Sequence, residues 1–81
     1  MTPAEITAEL ATIRARVEEL ARLAATSAPM PPAVATQARR RREAAVFRLD
    51  TYVGSIAFAL GRAAAAVEAL HAAPEEDRRV A

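Results

Sequence analysis

Apolar residues recur at Ile6, Leu10, Ile13, Val17, Leu20 and Ala24, in steps that alternate four and three. That spacing keeps one face of a helix on line over nearly three heptads. Ahead of the stripe, Thr2 suits an N-cap and Pro3 the first helical position. Glu5 stands three residues after the cap, as in a capping box. The pattern predicts a helix over residues 3–27, with Glu18 and Arg22 as a favourable i,i+4 pair beside the stripe. Pro29, Pro31 and Pro32 then interrupt it, because proline lacks the helical N–H and pushes the preceding residue to extended backbone.

The same four-three spacing resumes at Ala45, Leu49, Val53, Ile56, Leu60, Ala63, Val67 and Leu70. It predicts a second helix over 33–73, opened by Pro32 and ended by Pro74. A break near Leu49–Thr51 with Asp50 as cap would give three helices instead. Continuity of the apolar phase favours one. Residues 1–73 then form a single domain, an all-α antiparallel helical hairpin, followed by a polar flexible tail over 74–81.

The second helix carries another apolar stripe. At about 100° per residue, Phe47, Gly54, Phe58, Gly61 and Ala65 lie nearly opposite Leu49, Ile56 and Ala63. The first helix covers one side; the other needs a partner. An exposed apolar patch of this kind marks an interface, and interior glycines, each costing about 1 kcal/mol relative to alanine, suggest close approach or pockets. The stripe complements itself. In an antiparallel pair, Phe58 faces the other copy's Gly54, Phe47 faces Ala65, and Arg62 comes near Asp50. Two hairpins joined this way are expected to form a homodimeric four-helix bundle. The second helix also outruns the first by roughly fifteen residues, about 22 Å at 1.5 Å per residue, which leaves Phe58 to Leu70 uncovered in a lone hairpin.

Composition strengthens this picture. At 81 residues without cysteine, no disulfide or thiolate metal site can reinforce a small core, so oligomerisation is the natural route to stability. Alanine dominates and helix is favoured throughout. The N-terminus lacks the basic start and apolar core of a secretory signal. The uninterrupted apolar run from Thr51 to Gly61 is too short to span a bilayer, so no membrane association is expected and a cytoplasmic location is.

Net charge is only +1, yet Arg39, Arg40, Arg41, Arg42 and Arg48 stand close together against Glu43 alone. On a helix these arginines spread around the circumference. Pairing of the two helices through residue numbers summing to about 60 would set Arg42 beside Glu18. Arg39, Arg40, Arg41 and Arg48 would remain for an acidic protein or for nucleic acid. Catalytic chemistry has little to stand on. His71 is the single histidine and sits where a helix C-terminus favours a cation. Gly54 and Gly61 are mid-helix, not in a phosphate loop. No ExxH pattern offers a carboxylate-bridged metal. The expected function is a non-enzymatic dimerisation and protein-interaction module, a small adaptor or regulator without cofactor or metal. The alternative is a small nucleic-acid-binding regulator using the Arg39–Arg48 band.

Overall fold

The computed structural model describes residues 1–80, with side chains through Pro74. Two helices account for the chain: α1, Pro3–Ser27, and α2, Thr36–Val80. No strand occurs among the described residues. The Thr2 hydroxyl accepts a 3.1 Å bond from Glu5 N–H, and Pro3 occupies the first turn, so α1 starts where the capping signal places it. It ends at Ala28, which is extended (φ −66°, ψ 135°). That is the conformation Pro29 imposes on its predecessor.

The second helix departs from expectation at both ends. Ala35 N–H bonds Pro32 C=O at 2.9 Å. Ala33 and Val34 are thereby drawn into a turn, and the first helical bond of α2 is Arg39 N–H to Ala35 C=O at 3.1 Å. The helix therefore begins at Thr36 rather than 33. At the other end Pro74 lies inside α2 instead of ending it at Ala73. The proline removes the bond to Leu70 C=O and crowds that carbonyl, but Leu70 is 71% exposed, where water can satisfy the freed group. The backbone of the expected tail is thus helical to Val80; its side chains after Pro74, and Ala81, lie outside the described residues.

No break occurs at Leu49–Thr51. Asp50 is interior to α2, and Thr51 Oγ1 donates to Phe47 C=O at 2.9 Å while Ser55 Oγ donates to Thr51 C=O at 3.1 Å. These hydroxyls bond back into the helix and do not compete with it as caps.

The helices lie side by side in a flat hairpin. Leu10 and Leu60 line one groove between them, Val17 and Val53 a second, Ala24 and Val46 a third. Facing residue numbers therefore sum to about 70, not 60. The half-buried positions include Ile6, Leu10, Val17, Ala21 and Ala25 on α1 against Arg42, Val46, Leu49, Val53, Ala57, Leu60, Ala64 and Val67 on α2. Two expectations fall with the register. The first helix reaches α2 as far as Leu60 and Ala64, so Phe58 is not exposed by an overhang. It is exposed because it points away from α1. The seam is also rotated from the expected Leu49–Ile56–Ala63 line toward Ala57 and Ala64, leaving Ile56 and Ala63 exposed.

The hairpin encloses nothing. None of the described residues is buried. The Cα radius of gyration is 19.8 Å, against about 12 Å for a compact domain of this length. The accessible surface is 6552 Å², against about 4,700 Å² for a compact monomer of this mass.

Candidate interaction surfaces

The Phe/Gly stripe is fully open. Phe47 is 73% and Phe58 71% exposed. A methyl group added at Gly54 or Gly61 would meet nothing within 4 Å, and neither glycine has a positive φ. Neither the intrachain packing nor the backbone requires glycine at these two positions. Counting about 100° per residue, the stripe lies roughly a third of a turn around α2 from the α1 seam. Asp50 and Arg62, the charges flanking it, are exposed, as is Ala65.

A second apolar surface was missed from the sequence. On the opposite broad side of the hairpin, both helices contribute. Ile13 is 47% exposed and Leu20 48% on α1, while Ile56 is 44% and Tyr52 63% on α2. Between them runs an apolar groove floored by Val17, Ala21, Leu49 and Val53. The signal was present as heptad lines, Ile6–Ile13–Leu20 on α1 and Leu49–Ile56 with Tyr52 on α2. The spacing alone places Ile13, Leu20 and Ile56 on the same stripes as the seam residues and draws no attention to Tyr52.

The basic band is divided. The half-buried Arg42 reaches α1, but it donates from Nη2 to Ala25 C=O at 3.1 Å and does not pair with Glu18. Ala25 belongs to the last turn of α1, whose carbonyls lack helical partners and whose dipole end favours a cation. The last turn of α1 has no basic residue of its own, so α2 supplies the charge. Glu18 bonds Arg14 at 3.1 Å instead of Arg22, and Arg16 bonds Glu19 at 3.2 Å. These exposed pairs contribute only tenths of a kcal/mol. Arg39, Arg40, Arg41 and Arg48 are exposed.

Arg42→Gln is expected to lose a charge-assisted bond of about 1.5–3 kcal/mol and to lower the melting temperature by several degrees. Arg41→Gln is expected to leave it unchanged. Thermal melts followed by circular dichroism measure both.

Among the described residues, no three His, Cys, Asp or Glu side chains come together. One apolar window in α2, within Thr36–Pro74, has a mean hydropathy of 1.5 over 18 residues, long and apolar enough by length and composition to cross a membrane. Comparison with protein-family models, curated proteins and solved structures gives no match.

Proposed function

We propose that this chain is a non-enzymatic helical module that works as a homodimer, a small adaptor or regulator that docks another protein. One observation carries the reading: a two-helix hairpin in which no described residue is buried. Such a chain is short of the core that ordinarily stabilises a domain of this size, and a second copy supplies what it lacks. The open Phe/Gly stripe supports an interaction role. Its phenylalanines and the free space beside Gly54 and Gly61 suit insertion of a partner's side chains. The seam read from the sequence, Phe58 against the other copy's Gly54 with Arg62 near Asp50, is one way to use it.

A nucleic-acid reading is kept for the exposed Arg39, Arg40, Arg41 and Arg48. It is weaker because Arg42 is engaged with α1 and net charge is near zero. The cytoplasmic assignment is likewise a proposal. Arg48, Ser55 and Arg62 form a polar band along α2, which is costly on a helix immersed in lipid.

Sedimentation velocity at micromolar concentration, with a duplex DNA titration at two salt concentrations, tests the reading. A folded dimer is expected, with DNA binding that is weak at low salt and gone at moderate salt. A stable folded monomer would overturn the homodimer. DNA binding that persists at moderate salt would move the function to nucleic acid.

A further inference from the structure

We infer that the second copy seats on the two-helix face, not on the Phe/Gly stripe, and runs antiparallel so that each helix packs against its own counterpart. This rests on the homodimer reading and specifies where the copies meet.

The first argument comes from α2 alone. On this face a block of large residues, Leu49, Tyr52 and Ile56, is followed by a block of alanines, Ala59, Ala63 and Ala66, with Ala45 before the first block and Leu70 after the second. Place a two-fold axis perpendicular to the helix, level with the Ala57–Phe58 peptide. Leu49 then falls opposite the partner's Ala66, and Tyr52 opposite the partner's Ala63. Ile56 falls opposite the partner's Ala59, and Leu70 opposite the partner's Ala45. Each of these four large apolar side chains meets an alanine, and every contact occurs twice, as an isologous interface requires.

The second argument is independent of the first. The intrachain register sets Leu10 against Leu60 and Val17 against Val53, so the axis chosen by α2 crosses α1 level with Thr12 and Ile13. At that level α1 is also self-complementary. Glu9 falls opposite the partner's Arg16, Ile6 falls within one residue, about 1.5 Å, of the partner's Leu20, and Ile13 lies beside the axis within one residue of the partner's Ile13. Arg16 is exposed and already bonds Glu19 at 3.2 Å; its guanidinium has donors enough for a second carboxylate. Opposite charges and apolar side chains pair on a helix that played no part in choosing the axis.

Area agrees. The chain exposes about 1,900 Å² more than a compact monomer of its mass. Obligate homodimers bury about 1,000–2,500 Å² per partner. The geometry also closes: stacking one two-helix face on another gives four helices around a common core. Pairing along the Phe/Gly stripe, a third of a turn from α1, gives an open row of four. The stripe is then left on the outside of the bundle, free to receive the docked protein.

The chain has no cysteine, so introduced thiols report alone. Under mild oxidation Ile13→Cys is expected to convert most of the protein to a disulfide-linked dimer. An equimolar mixture of Tyr52→Cys and Ala63→Cys is expected to cross-link between the two variants. A mixture of Gly54→Cys and Phe58→Cys is expected to stay at the level of the free chain. Helix content by circular dichroism is checked for each, and the Tyr52/Ala63 mixture decides if Ile13→Cys does not fold. Cross-linking at Gly54/Phe58 and not at the other sites overturns the assigned face while keeping the homodimer. A wild-type chain that sediments as a monomer, in buffer or only in the presence of phosphatidylcholine vesicles, overturns both.

Discussion

Replacing Ile56 by aspartate is expected to abolish the dimer and most of the fold with it. In a lone hairpin this position is 44% exposed, and a polar substitution at such a site is ordinarily tolerated within about 1 kcal/mol. In the proposed bundle it lies near the two-fold axis. Burial of an isoleucine contributes about 1.5–3 kcal/mol, and symmetry removes that contribution twice. Each new carboxylate must also lose its water among apolar neighbours. The sum is comparable with the 5–15 kcal/mol that holds a whole domain together. Phe58→Asp, on the outside of the same bundle, is expected to leave the dimer intact and to weaken only the docking of another protein. Sedimentation and circular dichroism on the two variants read the difference directly. Loss of the dimer in Phe58→Asp alone would return the seam to the Phe/Gly stripe.

Dilution is expected to unfold the protein. If the hairpin has no core of its own, folding and association are one equilibrium, and stability depends on protomer concentration. Each tenfold dilution should then lower the stability of the dimer by about 1.4 kcal/mol. For a chain of this size that shifts the melting temperature by several degrees. Melts recorded from high micromolar to high nanomolar concentration should move steadily downward. A melting temperature that stays constant over that range belongs to a self-sufficient monomer and would remove the reason for a second copy.

Local signals were the legible part of the fold. Thr2 and Pro3 mark the start of α1 in the chain itself, and the prolines from Pro29 to Pro32 mark the connection, because caps and proline act through the backbone of the residues that carry them. The hairpin topology follows from two stripes and a short stiff link. The register does not. Alanines at 45, 57, 59 and 63 to 66 make several rotations of α2 nearly equal in hydropathy, so the stripe read from spacing is wider than the seam that forms. That width conceals the two-helix face, since the spacing places Ile56 and Ile13 on the same stripes as the seam residues. Arg42 points to α1, as the helix period predicts, but its acceptor is the Ala25 carbonyl and not the Glu18 carboxylate. A search for opposite charges passes over backbone oxygens that only a helix end leaves free. The beginning of α2 slipped by three residues for a similar reason: the bond from Ala35 to Pro32 makes a turn out of residues that sequence alone reads as a first helical turn.

The hairpin is a single layer of two helices, 9 Å across its Cα atoms in the thin direction, whereas a domain encloses its core between at least two layers. If the second layer is the same chain, the two sides of the core cannot drift independently. A residue that grows at position 63 grows on both copies, and in the antiparallel arrangement it must be answered at position 52, its mirror across the axis. The face then obeys a palindromic rule: a gain of volume at one position is tolerated only with a loss at its reflection. Descendants of this sequence should carry such substitutions in mirrored pairs, while the outward Phe/Gly side, bound by no reflection, is free to follow whatever it docks.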